Sequence, residues 1–587
     1  MTLAARAAVA VEAKPVETAS PRLELTARAL VVGSVIGAIL AAANVYTSLK
    51  ISILDGGSIT AALLGFLFFA SFSRPGRRPY SALENNITQT TAASAAIMGF
   101  VAGAGGGVPA MAMLGRSFPG WALALWGLSI ALFGVLAAVL LRRKLLLDEG
   151  LPFPTGNATG ELIETMFAAR HSALRRARFL LGGAIVAAAV TWFRDGKPQL
   201  IPASTAIGGA VGGLTLSTLS VELSWSPLLF STGVMMGIRA GLSMALGAAI
   251  GWLGLAPWLV RTHLVREAGY AACAGWLVWP GLGLLMAGSF VPLILDWRSL
   301  VRAARDIGSV VSQAAGSRLR KRPSAGATAA VLGGLVALAV VWRGEFKLSL
   351  WALPVAVATA LILSVVSSRA AGETDLAPSG PVGTLTQLLF SGYGPILSLL
   401  AGTIANGTSG QAAQTLWAFK AGSRLGSSAR AQLLAQLLGA LVGGLVLVPV
   451  YLVLTKAYGL GTERLPAPTA ISWRATAEAV RNGLASLPPH ATTSGLAGLL
   501  VGALLALGGS RRWGKHLPSP AAMGIAFLTP ASVSLAVAAG ALLAGGARRL
   551  RPSLDQESLI SMAAGGMAGE SIMGVIIAIA LVTGLFK

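Results

Sequence analysis

Long apolar stretches without a charged residue dominate the hydropathy pattern of this chain. Each is long enough to cross the ~30 Å hydrocarbon core of a bilayer as a helix. The clearest of these charge-free stretches fall within the ranges 28–50, 116–142, 197–222, 239–261, 267–296, 347–369, 430–456 and 481–511. The pattern predicts about twelve clear crossings. Shorter or more polar segments at 85–114, 151–168, 385–425 and 465–482 would raise the total to about sixteen.

Two proline-containing segments interrupt the apolar pattern at corresponding places. Residues 151–166 read LPFPTGNATGELIETM, and residues 465–480 read LPAPTAISWRATAEAV. Proline has no backbone donor, so such a break is tolerated at membrane depth only where protein buries it or where it lines a watery cavity. Matching interruptions in two halves of a chain are typical of a transporter's binding site. The two segments therefore predict re-entrant or broken helices that face a substrate.

Further paired features predict an internal duplication. Ser226-Pro227 is matched by Ser519-Pro520, each before a long apolar run, and a polar run from Asn86 resembles one from Asn406. A basic, non-spanning segment lies between the two sets. We therefore expect four parts, which are a cytoplasmic N-terminal tail (1–23), a transmembrane half (24–296), a basic cytoplasmic linker (297–326) and a second transmembrane half (327–587).

Composition indicates an integral membrane protein. Hydrophobic residues make up 55% of the chain and charged residues 11%, and the mean hydropathy is +0.73. The formal net charge of +23 would suit nucleic-acid binding, but the basic residues form short clusters between apolar runs. Such clusters mark cytoplasmic loops. We expect the lipid bilayer as a partner, no nucleic acid, and a cytoplasmic N-terminus, because the first residues lack the apolar core of a secretory signal.

Polar side chains within apolar surroundings mark the candidate path of a solute. On a helix, Asn86, Thr90 and Ser94 share one face, and Asn85 shares another with Gln89. These faces suit a solvated pathway, and hydrogen bonding between helices is the alternative.

Three carboxylates are candidates for proton coupling. Glu161 and Glu164 follow the first proline break at i, i+3 spacing, so both can face one cavity, although the nearby Arg170 favours a cytoplasmic interface as the alternative. Glu570 interrupts an apolar C-terminal segment and is expected to have a partner or to titrate. A buried carboxyl group that binds and releases protons is what a proton-coupled carrier requires. Lys50, Glu222, Arg239 and Lys420 are further ionisable candidates.

The sequence lacks the residue patterns that metal binding, ATP binding and the common hydrolytic mechanisms need. The four histidines have no partner at ligand spacing and Cys273 is the sole cysteine, so we expect no metal site and no cofactor. The phosphate-binding Gly-x-x-x-x-Gly-Lys-Ser/Thr loop, the HExxH helix and the Gly-x-Ser-x-Gly elbow are absent from the sequence. The chain is therefore not expected to be an enzyme, and energy for transport would come from an ion gradient.

Short motifs along the chain resemble those of the oligopeptide transporter superfamily, particularly its prokaryotic and yellow-stripe-like branch. They are ELTARA (24–29), NVYTSLK (44–50), ENNITQT (84–90), GLPFPTG (150–156), LTQLLF (385–390), QLLAQ (432–436), PSP (518–520) and GESIMG (569–574). The resemblance implies about sixteen transmembrane helices in two related halves, and proton-coupled uptake of small peptides or metal chelates. One segment departs from the family pattern. TLWAFKAG (415–422) keeps a lysine and a glycine but lacks two acids that the yellow-stripe-like pattern usually has there.

These observations together predict an all-α integral membrane protein in two homologous halves, with proline-interrupted or re-entrant segments. The expected function is proton-coupled secondary transport, by alternating access, of small peptides or peptide-like metal chelates. The candidate proton-coupling residues are Glu161, Glu164 and Glu570. The candidate substrate-binding residues are Asn44, Tyr46, Lys50, Asn85, Asn86, Gln89, Thr90, Pro152, Pro154, Thr155, Asn157, Asn406, Gln411, Gln414, Lys420, Pro466, Pro468 and Thr469.

Two rival functions stay open at this level. One is a membrane-embedded enzyme that acts on a lipid-linked group with the same buried acids. The other is a passive channel, which scattered ionisable residues disfavour. We expect the chain in a bacterial inner (cytoplasmic) membrane. The sequence leaves open the substrate, the direction of transport and the oligomeric state, and a homo-oligomer is one of the open alternatives.

Overall fold

The computed structural model describes most of the chain. It covers residues 23–585 except for 53–55, 73–77, 169, 266, 296, 299–300, 302–324, 376, 483–487, 510, 512–513 and 551–554. The predicted tail, apart from residue 23, and most of the predicted linker at 297–326 lie outside the described residues.

Helices form nearly all of the regular structure in the described residues. The helices before the predicted linker are α1 (Ala27–Ile51), α2 (Ser58–Ser71), α3 (Ala82–Ala96), α4 (Met98–Val101), α5 (Gly107–Met113), α6 (Gly120–Arg142), α7 (Pro154–Ala168), α8 (Arg170–Asp195), α9 (Pro227–Ala248), α10 (Ala256–Arg261) and α11 (Tyr270–Leu295). Wider π-helical turns at Arg143–Asp148 and Ala249–Leu255 extend α6 and join α9 to α10.

The helices after the predicted linker are α12 (Ala325–Gly344), α13 (Ala352–Thr374), α14 (Ser379–Leu389), α15 (Pro395–Leu425), α16 (Ala429–Tyr458), α17 (Pro468–Asn482), α18 (Ala491–Gly509), α19 (Pro520–Leu528), α20 (Ala531–Leu550) and α21 (Gln556–Thr583). Short 3₁₀ turns occur at Ser391–Tyr393 and Gly514–His516.

Ten helical stretches in the described part of the chain are long and apolar enough to cross a membrane. They are α1, α6, α8, α9 with α10, α11, α13, α16, α18, α20 and α21. The prediction of an integral membrane protein is confirmed at this level. The count of sixteen crossings stays a prediction, because several remaining helices, such as α2, are too short to span a bilayer alone.

One predicted crossing is wrong. The charge-free stretch 197–222 is not a helix but forms most of two small antiparallel hairpins, so the fold is not purely α-helical. Strand β1 (Ser204–Ala206) pairs with β4 (Glu222–Ser224), and β2 (Ala210–Val211) pairs with β3 (Leu214–Thr215). The stretch is rich in glycine, threonine and serine, residues that favour turns over helix interiors. Absence of charge alone therefore did not identify a helix.

Small residues set how closely the helices pack. On α16, Gly439 and Gly443 face α3 so closely that a Cβ atom on either would clash with a backbone carbonyl of α3, at Thr91 or Ala95. Leucines of the same helix, among them Leu445, are exposed on the outside. This division suits a membrane helix, since lipid solvates leucine well and close packing needs small side chains.

Basic residues at the ends of several helices lie at one end of the helical assembly, which we call the basic end. Arg28 at the start of α1 pairs with Glu84 at the start of α3 at 2.6 Å. Arg424 at the end of α15 pairs with Glu164 of α7 at 3.0 Å. Glu24 accepts hydrogen bonds from Ser427 and Ser428, which follow α15. α1 therefore runs away from the basic end, whereas α15 runs towards it.

Candidate functional site

The first proline break is held at the basic end by the end of α13. The Phe153 N–H donates to the Gly372 carbonyl at 2.9 Å. The backbone N–H of Thr155 and its hydroxyl donate to the two carboxylate oxygens of Asp375, at 2.9 and 2.7 Å. Lys420 donates to the Leu151 carbonyl at 2.9 Å. A chain segment rich in proline is thus anchored by a carbonyl and a carboxylate at the end of α13 and by the ammonium group of Lys420 on α15.

The second proline break is held in the same way, by the end of α1. The Ala467 N–H donates to the Leu49 carbonyl at 2.8 Å, and the Thr469 N–H donates to the Ser52 hydroxyl at 3.0 Å. The middle residues of the breaks, Phe153 and Ala467, have positive φ values of 43° and 48°. Two breaks of related sequence thus share a backbone conformation and a type of anchor.

The breaks do not lie together. The first contacts α15 at Lys420. The second lies near the start of α15, because Gly106 packs on Thr469 and the adjoining Gly107 packs on Thr403. At 1.5 Å per helical residue, the seventeen positions between Thr403 and Lys420 correspond to about 25 Å. A small solute cannot touch both breaks at once, so the structure does not bring together Pro152, Pro154 and Thr155 with Pro466, Pro468 and Thr469.

A buried cluster of amide side chains lies where α3, α15 and α16 meet. We call it the amide cluster, and its members are Asn86, Gln89, Ser94, Gln411, Gln432 and Gln436. The Ser94 hydroxyl donates to the Gln436 carbonyl at 2.7 Å and lies 3.4 Å from the Gln411 amide nitrogen. Gln89 donates to Asn86 at 3.1 Å and to Thr90 at 3.0 Å. Every member is no more than 1% exposed.

Many polar atoms of this cluster have no hydrogen-bond partner among the described residues. They are Asn86 Nδ2, Gln89 Oε1, Gln411 Oε1, Gln432 Nε2 and Gln436 Nε2. A buried polar group without a partner costs about 1–3 kcal/mol. Five such groups on three adjoining helices leave hydrogen-bonding capacity that water or a solute can satisfy. The cluster can both donate to and accept from a ligand's amide groups.

The remaining predicted polar residues lie around this cluster. The Asn44 and Asn85 amides donate to the Ala96 and Ala62 carbonyls at 3.0 and 3.1 Å, so both tie neighbouring helices together. Gln414 donates to Ser58 at 3.1 Å. Asn406 is buried, and its Oδ1 has no partner among the described residues. Asn157 donates to the Pro152 carbonyl at 3.0 Å within the first break.

A second site is a group of charges that we call the charge cluster, formed by the buried Arg194 and Glu570 and the partly buried Lys50 and Asp195. Glu570 lies midway along the 28-residue helix α21 and is fully buried. Its Oε1 is 2.8 Å from Lys50 Nζ and 3.1 Å from Arg194. Arg194 also forms a two-point pair with Asp195 at 3.0 and 2.6 Å. Two cations and two carboxylates thus balance each other inside the protein, as buried charges require.

The start of α9 completes the surroundings of Glu570. The Ser226 hydroxyl lies 2.8 Å from both carboxylate oxygens, and the Leu228 N–H donates to Oε2 at 2.9 Å. Ser226 is the N-cap of α9 and Pro227 follows as its first residue. A helix N-terminus presents free N–H groups and a partial positive charge, which stabilise a carboxylate. The Ser226-Pro227 pair of the sequence therefore begins α9 and helps to bind the Glu570 carboxylate.

Two tyrosines border the charge cluster. Lys50 donates to the Tyr46 hydroxyl at 3.1 Å and lies over its ring, 5.2 Å from the centroid. Tyr458 packs edge-on against Tyr46 and donates to the Gly574 carbonyl at 2.9 Å. The predicted residues Tyr46, Lys50 and Glu570 are thus brought together from α1 and α21.

Sequence reasoning missed Arg194 and Asp195 as well as Gln432 and Gln436. Arg194-Asp195 ends an apolar stretch, where charges usually mark the membrane surface. Gln432 and Gln436 stand at i, i+4 spacing in an apolar helix, a signal that could have identified a buried polar face.

Glu161 and Glu164 occupy a different environment from Glu570. Their side chains are 64% and 43% exposed and face Arg424 at the basic end, at 3.5 and 3.0 Å. This placement favours the interface alternative over a shared cavity.

Of the other ionisable candidates, Lys420 binds the first break, Glu222 lies in a hairpin, and Arg239 donates to the Leu517 carbonyl at 2.8 Å.

A cavity of about 300 Å³ adjoins the charge cluster on the side away from the basic end. Lys50, Arg194 and Asp195 form part of its wall, together with Glu222 from the hairpins and Glu463 and Arg464 from the loop before the second break. The described residues contain no group of three or more His, Cys, Asp or Glu side chains that could hold a metal ion.

Comparison with known proteins gives a consistent result across the chain. Residues 24–581 match the family model described as OPT oligopeptide transporter protein. The chain is 24% identical to a putative oligopeptide transporter of Saccharomyces cerevisiae, over 87% of this chain and 90% of that protein. It is 22% identical to an iron-phytosiderophore transporter of Oryza sativa subsp. japonica, over 95% and 92% of the two chains. A metal-nicotianamine transporter of the same plant is 23% identical, over 94% and 91%.

Proposed function

Because the chain belongs to the OPT oligopeptide transporter family, we propose that it moves small peptides or peptide-like metal chelates across the membrane by alternating access coupled to protons. The family and the relatives are transporters, so the chain is not an enzyme and the rival of a membrane-embedded enzyme is dropped. The observation that carries the proposal is the reciprocal anchoring of the two proline breaks.

In this arrangement each half of the chain anchors the break of the other half. The break before α7 binds the end of α13, and the break before α17 binds the end of α1. Ser52 and Asp375, which end these two helices, both adopt the left-handed conformation, with φ values of 59° and 66°. The anchors are thus equivalent in sequence position and in geometry, as expected of an internal duplication.

The two halves run in opposite directions through the membrane. α1 starts at the basic end, and its last residues hold the second break at the far end. α13 ends at Asp375, which holds the first break at the basic end. Inverted repeats of this kind allow one half to adopt the conformation of the other, which exposes a central site to each side in turn. This inversion supports alternating access.

The amide cluster is the proposed substrate path. It lies between helices of both halves, and its five unpaired polar atoms offer donors and acceptors of the kind that a peptide bond needs. Peptides and peptide-like chelates both carry such groups. Gln411, Gln89 and Asn86 are the predicted residues that belong to this cluster.

Glu570 is the proposed proton site. It is fully buried between two cations, and a proton competes with Lys50 and Arg194 for the same carboxylate oxygen. Proton binding would therefore go together with movement of these partners, which belong to α1 and α8. That link between protonation and helix position is what a coupled carrier needs.

We also propose that the basic end faces the cytoplasm of a bacterial inner membrane, by the positive-inside rule. The N-terminal end of α1 would then be cytoplasmic and the cavity beside the charge cluster would open to the outside. A passive channel is disfavoured, since fully paired charges inside the protein resist a continuous open pore.

Proteoliposomes with an internal pH indicator test the proposal. Separate pools of di- to hexapeptides and of metal chelates are added outside, and empty liposomes serve as the control. We expect interior acidification with one pool, which identifies the substrate class and the coupling ion together. Transport of a labelled pool member without acidification would contradict the proton coupling, and absence of transport with both pools would contradict the proposed function.

A further inference from the structure

The cavity next to the charge cluster has charges of both signs on its wall. Lys50, Arg194 and Arg464 supply positive charge, and Asp195, Glu222 and Glu463 supply negative charge. Its volume of about 300 Å³ lies at the lower end of the range for small-molecule pockets. Such a wall suits a small ligand that is itself charged at both ends.

We infer that this cavity is the loading site for a small zwitterionic solute with amide groups, such as a di- or tripeptide with free termini, and that Lys50 binds its carboxylate when Glu570 takes up a proton. The inference rests on the proposed function and adds to it the kind of solute and the residue that recognises its carboxylate.

Lys50 can exchange the Glu570 carboxylate for that of a solute because its ammonium group pairs with a single carboxylate. Glu570 is the one acidic group within 4.0 Å of its ammonium group among the described residues. The side chain is 13% exposed and reaches the cavity wall. Arg194 differs, because it keeps its two-point pair with Asp195 whatever happens to Glu570.

The charge balance of the cluster couples the two binding events. Glu570 contacts Lys50 from α1, Arg194 from α8, and Ser226 and the Leu228 N–H from α9. Behind these groups lie Tyr46 from α1, which binds Lys50, Asp195 from α8, which binds Arg194, and Tyr458 from α16, which packs on Tyr46. With Glu570 ionised, the two cations and two carboxylates sum to zero. A proton on Glu570 leaves one unbalanced positive charge, and a solute carboxylate on Lys50 restores neutrality. Each event thus favours the other.

Two acidic residues of the cavity wall suit the solute's amino group. Glu463 accepts a hydrogen bond from Ser220 at 3.0 Å, and Glu222 accepts one from Ser204. Neither carboxylate forms a salt bridge within the described part of the chain, so both can pair with an ammonium group. A solute that carries both charges would therefore find a partner for each of them on the cavity wall.

Binding of trialanine, its C-terminal amide and its N-acetyl form to the purified full chain in detergent tests this inference. By calorimetry we expect the amide to bind at least about tenfold more weakly than trialanine, since it lacks the carboxylate. Lys50→Gln should bind both peptides equally weakly, and Lys50→Arg should restore the difference. Lys456→Gln, at an exposed lysine in the last turn of α16, is the matched control and should behave as wild type.

The pH dependence gives a second readout. Trialanine should bind wild type more tightly at about pH 5.5 than at about pH 7.5, and Glu570→Gln should remove this difference while it keeps the preference over the amide. The comparison of trialanine with its C-terminal amide uses only the wild-type protein, so it tests the inference even if a variant fails to fold.

The outcomes separate the two levels of the argument. Equal binding of trialanine and its amide to wild type would overturn the inference and leave the proposed function intact. Failure of all three peptides to bind would also overturn it, while acidification by the chelate pool would still support the proposed function.

Discussion

At the scale of single residues, Glu570 concentrates the chemistry of the protein. The sequence indicated only that a carboxylate in an apolar segment needs a partner. In the structure it has Lys50 and Arg194 as cations and the Ser226 hydroxyl and Leu228 N–H as further donors. These partners come from α1, α8 and α9, which lie far apart in sequence. Only one of them, Lys50, was predicted to be functional.

We expect Glu570→Gln to lower pH-driven uptake in proteoliposomes at least about tenfold, because glutamine cannot bind and release the coupled proton. Exchange of labelled for unlabelled substrate at equal pH should persist, since it needs no net proton movement. Removing one partner of a buried ion pair also costs about 3–5 kcal/mol, so thermal unfolding of the variant is measured alongside.

Glu267→Gln, in the loop before α11, is the control and should retain uptake. Wild-type pH dependence in Glu570→Gln would show that the coupling proton binds elsewhere. In that case, uptake by Glu161→Gln and Glu164→Gln shows whether either of these predicted residues binds the coupling proton.

At the scale of elements, the contact between α3 and α16 positions the amide cluster. Gly439 and Gly443 bring α16 against the backbone of α3, which places Gln436 beside Ser94 and Gln411. A larger side chain at either glycine would move the two helices apart and separate these amides.

Gly439→Ala is therefore expected to destabilise the protein by about 1–3 kcal/mol, through the clash of its Cβ with the Thr91 carbonyl. The midpoint of thermal unfolding in detergent measures the effect. Gly333→Ala, in α12, is the matched control because no atom lies within 4 Å of its Cβ position. An equal midpoint for both variants would contradict the close packing of α3 on α16.

At the scale of the whole molecule, the inverted arrangement of the two breaks is the main feature. The sequence placed both breaks around one solute at the membrane midplane. The structure instead separates them by about 25 Å along α15. Each break can then respond to movement of the helix in the other half that holds it, α13 for the first break and α1 for the second, and neither needs to touch the solute.

Cysteine labelling of intact cells tests this orientation. In a Cys273→Ser background, Ser217→Cys on the exposed hairpins should react with a membrane-impermeant maleimide from outside. Asn157→Cys in the first break should react only after the membrane is permeabilised. Labelling of both from the same side would contradict the inverted arrangement.

The resemblance of short motifs identified the family, because those motifs are local in sequence. Long charge-free apolar stretches identified most of the spanning helices for the same reason, but this signal failed at 197–222, where turn-forming residues outweigh the absence of charge. The polar face of α3 was also predictable, since helical spacing alone places Asn86, Thr90 and Ser94 on one face. The residues of other helices that these polar side chains contact could not be predicted from the sequence.

Hydropathy and backbone chemistry act over a few neighbouring residues, so the amino-acid sequence was enough to predict a membrane protein, most of its helices and the positions where prolines break them. The three-dimensional fold was needed to show that Glu570 meets Lys50 and Arg194, that the two breaks lie at opposite ends, and that Glu161 and Glu164 face Arg424 at the surface. These facts depend on contacts between residues up to 520 positions apart, and burial of charge is satisfied by whichever helices meet in space.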